Sequence, residues 1–217
     1  CRVQLIGRII HFIRRKAMNI EGLGEETVEL LYANGLVQNV ADLYRLNASQ
    51  LAPLPRLGEK SADNIMQSIA RSLQVPFHRV LFALGIRFVG ETTAKYLAAH
   101  FRSIDAVMSA SRDELMEAEE VGDKIADAIL EYFADESNLA IIQRLMAAGL
   151  QFEAEQTDRA SAVLEGLNFV ISGSFANHSR DELKALIEAH GGKNLAAVSA
   201  NTSYLLAGDK IGPAKLQ

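Results

Sequence analysis

The stretch LPRLGEKSADNI, residues 54–65, carries a glycine where an uninterrupted helix would resist one. Its apolar residues follow a helical spacing, yet Gly58 inside a helix would cost about 1 kcal/mol relative to alanine. The same pattern recurs in three further stretches, IEGLGEETVELL (20–31), IRFVGETTAKYL (86–97) and AEEVGDKIADAI (118–129). Because each copy carries glycine at the same position, where it would destabilise a continuous helix, the pattern indicates a tight turn between two helices.

The four copies repeat at a nearly fixed period. Their glycines are Gly24, Gly58, Gly90 and Gly122, with spacings of 34, 32 and 32 residues. Leu or Val precedes each glycine, Glu or Asp follows it, and apolar residues recur four and seven positions later. The residues at those two positions are Val28, Ala62, Ala94, Ala126, Leu31, Ile65, Leu97 and Ile129. Such a period marks an array of like supersecondary units.

Two capping-box patterns indicate how the units pair. Ser111 is followed three residues later by Glu114, and Asn47 by Gln50, which is typical of a helix start. The two patterns lie 64 residues apart, before the second and the fourth glycine. We therefore expect a duplicated, all-α unit in which hairpins one and two pair, as do three and four.

The repeated turn suggests phosphate binding. A helix that follows such a turn begins with free amides and a positive dipole end, which together favour an anion. We expect the turn glycine to permit a positive φ and the close approach of a foreign backbone. A glycine between two helices is more often a cap or a packing contact, but packing alone does not demand the same turn four times.

Residues beyond 150 follow another pattern. The polar, aperiodic segment 151–163 predicts a linker. Residues 169–171 and 203–208 predict strands, and Ser179 with Glu182 predicts a capped helix between them. The order strand, helix, strand indicates a small α/β domain with parallel pairing, which we expect to be cut short at residue 217.

Composition excludes some classes and leaves others open. The chain has 217 residues, 49% of them apolar, and one cysteine, which fits a reducing compartment without a disulfide framework. No apolar run reaches the roughly 18 residues of a membrane span, and no signal peptide is evident. The net charge of −5 hides zones: residues 1–20 carry five basic and no acidic groups, whereas 105–136 carry eleven acidic and two basic ones.

Several stretches resemble bacterial NAD-dependent DNA ligases, and the repeats resemble helix-hairpin-helix motifs. The similar stretches are HFIRRKAMNIEGLGEETVELLYANGLV, DLYRL, RLGEKSADNI and ALGIRFVGETTAKYLAAHF, followed by LNFVISGSF, SRDELKALIEAHGGK and TSYLLAGDKIGPAKLQ, which look like the start of a BRCT domain. The resemblance implies a zinc-finger end or linker (1–10), a helix-hairpin-helix domain (11–150), a linker (151–163) and a partial BRCT domain (164–217).

In that family the helix-hairpin-helix domain grips duplex DNA on both sides of a nick from the minor-groove side. The resemblance therefore implies non-sequence-specific binding of nicked duplex through backbone phosphates. The implied DNA-binding residues lie in or beside the first three turns. They are Gly22, Gly24, Thr27, Arg56, Gly58, Lys60, Ser61, Arg87, Gly90 and Thr93. The fourth turn carries Glu119, Glu120 and Asp123, and we expect it to be mainly structural.

The resemblance implies an enzyme that joins 5′-phosphate and 3′-hydroxyl ends through an adenylated lysine, with NAD, magnesium and zinc. The family's Lys-x-Asp-Gly motif is absent from this chain, so we expect the chain alone to be non-catalytic. Cys1 matches the last of four zinc cysteines, and alone it cannot form a tetrahedral site. GLGEET (22–27) lacks the third glycine and the preceding strand of a dinucleotide loop.

The BRCT-like segment offers a candidate phosphate pocket formed by Ser172, Gly173, Arg180 and Lys215. The other interpretation of these residues is a strand end, a capped helix and a solvated lysine.

The implied partners are nicked double-stranded DNA, the upstream ligase domains, and a protein or DNA end at the BRCT segment, with no membrane. The implied location is the bacterial cytoplasm, at the nucleoid. Two alternatives stay open: a protein-interaction module that uses the BRCT segment and the acidic face, or a part of another helix-hairpin-helix repair protein.

Overall fold

The computed structural model describes residues 2–154, 163–175, 178–195, 197–199 and 201–209. The chain divides into two compact units, residues 1–155 and 156–217. Within the described ranges, no helix is both long and apolar enough to cross a bilayer.

The first unit is helical. Its elements are α1 (Arg2–Ile13), α2 (Glu25–Ala33), a 3₁₀ helix (Val40–Arg45), α3 (Ala48–Leu51), α4 (Glu59–Ser72), α5 (Phe77–Ala83), α6 (Glu91–Phe101), α7 (Ile104–Ser109), α8 (Arg112–Met116), α9 (Asp123–Ala134) and α10 (Glu136–Ala148). The helices α2, α4, α6 and α9 each begin directly after one of the four repeated glycines. The predicted turn between two helices is therefore confirmed at each glycine.

The repeat spacing predicted the core of this unit correctly. All eight residues four and seven positions after the glycines are at most 1% exposed. Three of the residues that directly precede a glycine, Leu23, Val89 and Val121, are 6% exposed. Each of these helices thus packs into the core through its apolar face, while its first helical turn stays at the surface.

Both predicted capping boxes are present. The side chain of Asn47 accepts a hydrogen bond from the amide of Gln50 at 3.0 Å, and Ser111 pairs reciprocally with Glu114. A third box, which the sequence analysis did not single out, caps the 3₁₀ helix through Asn39 and Asp42. These caps fix where the short helices before the second and fourth turns begin.

Of the segment 1–10, which was expected to be the end of a zinc finger or a linker, residues 2–10 lie in helix α1 of the helical unit. Ile9 and Phe12 of α1 are fully buried in the same core as the four hairpin helices. Their helical spacing explains the difference, because it gives α1 an apolar face to bury.

The C-terminal boundary of the helical unit also lies further along the chain than expected. Phe152 is buried, its carbonyl accepts a hydrogen bond from the amide of Ile104 at 2.9 Å, and the amide of Ala154 donates to Arg102 at 2.7 Å. The helical unit therefore continues past the expected boundary at residue 150. The stretch 155–162 of the predicted linker lies outside the described residues.

The second unit contains β1 (Asn168–Ser172), α11 (Arg180–Ala189), β2 (Lys193–Leu195) and β3 (Tyr204–Ala207). The sheet order is β2-β1-β3, with both pairings parallel. The predicted strands, helix and parallel pairing are confirmed. Strand β2 was missed because it has only three residues, two of them polar, and directly follows the helix-ending glycines.

Candidate nucleic-acid interface

The four turns share one backbone form. We define turns 1 to 4 as residues 22–24, 56–58, 88–90 and 120–122. Their first residues are all left-handed, with φ of 84° at Gly22, 67° at Arg56, 66° at Phe88 and 63° at Glu120. The helix after each turn then begins at the same distance from this left-handed residue, so the turns present their first amides in a common way.

The repeated glycines themselves do not have positive φ, contrary to the expectation from the sequence. Gly24, Gly58, Gly90 and Gly122 have φ of −86°, −134°, −82° and −104° with ψ close to 180°, and each is the N-cap of its helix. This is extended backbone that any residue adopts. The left-handed residue lies two positions earlier, because that is where the chain reverses direction.

Packing does not require glycine at these positions either. A Cβ built on Gly24, Gly58, Gly90 or Gly122 would meet no other atom within 4 Å. Ser, Asn or Asp would cap the helix better, since their side chains accept a hydrogen bond from the first-turn amides. What glycine adds is an unobstructed approach to those amides from outside the molecule.

Gly22 is glycine for a different reason. Its φ is positive, and a Cβ there would lie 2.8 Å from Cγ1 of Ile65 in α4. Turn 1 therefore packs directly on the helix of the second hairpin. This packing gives Gly22 a structural role in joining hairpins one and two, and its contact with DNA stays a prediction.

The predicted cations of turns 2 and 3 are all exposed. Lys60 lies in the first turn of α4, and the guanidinium of Arg87 lies 4.7 Å from the centroid of the Phe88 ring. Arg56 forms a 2.5 Å ion pair with Glu26 of α2. This pair is about four-fifths exposed on both sides, so solvent screens it and a phosphate can compete for the arginine.

The three predicted hydroxyl donors differ in accessibility. Ser61 is exposed, Thr27 is half-buried, and Thr93 is only 7% exposed. The structure therefore places Ser61 best for contact with a ligand.

A basic cluster beside turn 3 was not predicted as part of the site. Lys16 forms a 3.0 Å ion pair with Glu91, the residue that follows Gly90. The hydrogen bond from Lys16 is the main cause that lowers the pKa of Glu91, with Lys95 and Arg79 contributing through their charges. Together these cations outnumber the single carboxylate next to the third helix start. The positively charged surface at turn 3 therefore also includes Lys16, Arg79 and Lys95.

Arg79 links this cluster to the segment that follows α1 by hydrogen bonds. Its guanidinium donates to the backbone oxygens of Arg15 at 2.5 Å and Lys16 at 3.3 Å, at the end of α1. The basic run at residues 14–16 was visible in the sequence. Its placement beside turn 3 was not, because Arg79 lies more than sixty residues further along the chain.

Turn 4 has the opposite charge. Arg112 of α8 pairs with Asp123 at 2.6 Å and with Asp127 at 2.7 Å, so this cation is engaged by carboxylates of α9. The charge of Glu119 is the main cause that raises the pKa of Tyr96, with a further contribution from Glu120. An anion would meet more negative charge at turn 4 than at turn 3, where Lys16, Arg79 and Lys95 outnumber Glu91.

In the second unit, three of the four candidate pocket residues are described. Arg180 donates through Nε to the carbonyl oxygen of Gly173 at 2.8 Å, and Ser172 is buried. A Cβ on Gly173 would lie 2.7 Å from backbone atoms of Gly208, so packing explains this glycine. Lys215 lies outside the described residues, and the phosphate pocket stays a prediction.

The described residues contain no group of three or more His, Cys, Asp or Glu side chains placed to hold a metal ion. Cys1, the candidate zinc ligand, lies outside them.

Family profiles match three parts of the chain. The profile of a SAM-like helix-hairpin-helix tandem matches residues 15–71, and that of the helix-hairpin-helix motif matches 79–142. The BRCA1 C Terminus (BRCT) domain matches residues 159–217. The two helix-hairpin-helix matches divide the helical unit between the second and third hairpins, as the spacing of the capping boxes predicted.

Bacterial proteins named DNA ligase are similar over the whole chain. Identity is 55% with that of Phocaeicola vulgatus, 52% with that of Bacteroides fragilis and 51% with that of Flavobacterium psychrophilum, each across 100% of this chain. The chain spans 33% of the length of each of these relatives. With its helix-hairpin-helix and BRCT segments matching in the same chain, this protein corresponds to a helix-hairpin-helix and BRCT part of bacterial DNA ligases.

Proposed function

We propose that the chain binds duplex DNA around a nick, without sequence preference, through backbone phosphates held at the first turns of α2, α4 and α6. The observation that carries this proposal is the repeated N-cap glycine, for which the molecule has no internal need. Extended φ and an open Cβ position leave close approach of a ligand as the physical reason for glycine. Amides at a helix N-terminus bind phosphate irrespective of the base that it carries.

The charges around the turns support different roles for the four hairpins. Lys60, Arg56 and Arg87 are exposed at turns 2 and 3, whereas carboxylates surround turn 4. Charge therefore favours phosphate binding at turns 2 and 3, and turn 1 is included because of its open N-cap glycine. The fourth hairpin completes the core through Ala126 and Ile129, which are fully buried.

The parent enzyme in this proposal is an NAD-dependent DNA ligase of the bacterial cytoplasm, acting at the nucleoid on 5′-phosphate and 3′-hydroxyl ends. The adenylated lysine and the NAD and magnesium sites belong to ligase domains other than the described residues, and Cys1 would contribute one zinc ligand. In this assignment the chain positions the nicked duplex, and the BRCT-like unit contacts a protein or a DNA end.

The test is a salt series of fluorescence anisotropy titrations with nicked, intact and single-stranded DNA. Affinity for duplex should fall steeply as salt rises, because bound phosphates release counterions. Replacing Lys60 and Arg87 together by Ala should lower affinity on all sequences alike and reduce the salt slope by about two.

The matched control is Lys124→Ala, because Lys124 follows Gly122 at the same distance as Lys60 follows Gly58. It lies at the acidic turn 4, so this variant should keep the wild-type slope. Preference for single strands, or equal slopes for the wild type and the Lys60 and Arg87 variant, would contradict the proposal.

A further inference from the structure

Phe88 is a large aromatic residue at an exposed position with a left-handed backbone. It is the first residue of turn 3, with φ of 66° and 53% of its surface exposed. A bulky side chain in the left-handed region is a genuine outlier, and glycine or asparagine would be the ordinary choice. Arg56 and Glu120 hold the same backbone form, so the feature that distinguishes turn 3 is an exposed aromatic ring at this position.

The ring is held in a defined position. The guanidinium of Arg87 lies over the ring, 4.7 Å from its centroid. Arg87 itself is exposed, so the pair forms a cationic and aromatic tip that projects from the surface. The ring therefore has a fixed partner on one side, and more than half of the residue still faces solvent.

The tip stands beside the proposed phosphate site of the third hairpin. Phe88 precedes Gly90 by two residues, and a ligand that reaches the amides of α6 passes next to it. A phosphate gains nothing from an apolar ring, whereas Arg87 and the amides already provide charge and donors. The ring is thus suited to a different part of the same ligand.

We infer that Phe88 enters the minor groove of the duplex and packs against deoxyribose and base edges next to the phosphate bound at turn 3. This inference rests on the proposed DNA binding. Minor-groove proteins insert apolar side chains in this way beside their phosphate contacts. The groove is about 6 Å wide, which admits a single ring on a turn but no helix.

The test compares Phe88→Gly with the wild-type chain. Glycine relieves the left-handed strain, so the unfolding midpoint should rise by about 2 °C. Affinity for nicked duplex should nevertheless fall about tenfold, as when an aromatic contact to DNA is removed. The salt slope should stay unchanged, because no cation is lost.

Two further variants separate the ring from the strain. Phe88→Tyr keeps both and should bind as the wild type does. Glu120→Gly relieves the same left-handed backbone position at turn 4 and should stabilise the chain without weakening binding.

Two outcomes would overturn the inference alone: wild-type affinity in Phe88→Gly, or a loss of affinity accompanied by a lower salt slope. A wild-type chain that binds no duplex would overturn the proposed function as well, so the two failures are distinguishable.

Discussion

At the scale of single residues, the turns invert the usual use of glycine. The left-handed position, where glycine is favoured, holds Arg56, Phe88 and Glu120 in three of the four turns. Each of these costs about 1 kcal/mol relative to a relaxed backbone. The extended position, where any residue fits, is glycine every time. Under the proposed function, glycine marks the place where a phosphate of the duplex comes close.

Gly58→Ser tests this argument most directly. Gly58 has φ of −134° and ψ of 178°, which is the extended conformation of a serine N-cap. The new hydroxyl would accept a hydrogen bond from a first-turn amide and stabilise the chain by about 0.5 kcal/mol. It would also occupy the amide that the phosphate needs. We expect higher stability in urea unfolding together with about tenfold weaker duplex binding.

Gly35→Ser is the control, at a glycine that follows the C-terminal end of α2. Gly35 has φ of 71°, and a Cβ there would meet no atom within 4 Å. Serine should cost about 1 kcal/mol of stability through strain alone and leave duplex binding unchanged. If Gly58→Ser kept full affinity, the glycines would be ordinary caps.

At the scale of elements, the fourth hairpin differs from the second and third in charge and shares their fold. Replacing Glu119 by Gln and Glu120 by Gly removes two carboxylates from turn 4 without touching its buried residues. Glu120 has φ of 63°, so glycine there also relieves strain. We expect stability to stay equal or rise slightly, and affinity for nicked duplex to stay equal or increase, as read by anisotropy at constant salt.

Weaker binding by this double variant would show that the acidic turn takes a positive part in binding. The ranking of the four hairpins would then be wrong. Arg112→Gln is the informative companion, because it frees Asp123 and Asp127 from their shared partner and should weaken binding.

Periodic and local features of these elements could be predicted from the sequence. Buried positions such as Val28 and Ile129 follow from the repeat, and the Ser111 cap follows from a three-residue spacing. Which residue of the turn is left-handed could not be predicted, since Arg56 and Phe88 are residue types that avoid that region. Contacts between distant segments, such as Arg79 with Lys16, also left no local pattern.

At the scale of the whole helical unit, one ion pair joins its first and last parts. Arg144 of α10 donates to Asp42 of the 3₁₀ helix at 2.7 Å and to the side chain of Asn39 at 3.2 Å. Asp42 also accepts hydrogen bonds from the amides of Gln38 and Asn39. Burial by itself would raise the pKa of Asp42, but the bond from Arg144 and the two amides outweigh it and lower the pKa below 3.8.

Asp42→Asn should therefore destabilise the unit in a pH-dependent way. A carboxylate with a lowered pKa contributes stability above its unfolded pKa and loses it as pH falls through the folded value. We expect a loss of about 1 kcal/mol at pH 7, constant down to about pH 5. Below pH 4 the difference from wild type should shrink as Asp42 is protonated. Urea unfolding across this range measures it, and a loss independent of pH would contradict the assigned pKa direction.

The acidic fourth turn has a consequence for the symmetry of the complex. A regular duplex looks the same after a half rotation about its dyad, so a duplicated unit with four equivalent turns would accept it in two opposite directions. A nick removes this dyad, and the carboxylates at turn 4 make the two halves of the unit differ from each other, so the two directions are no longer equivalent. A nick interrupts only one strand. In the proposed complex, this asymmetry would let the chain favour one of the two directions on the nicked duplex.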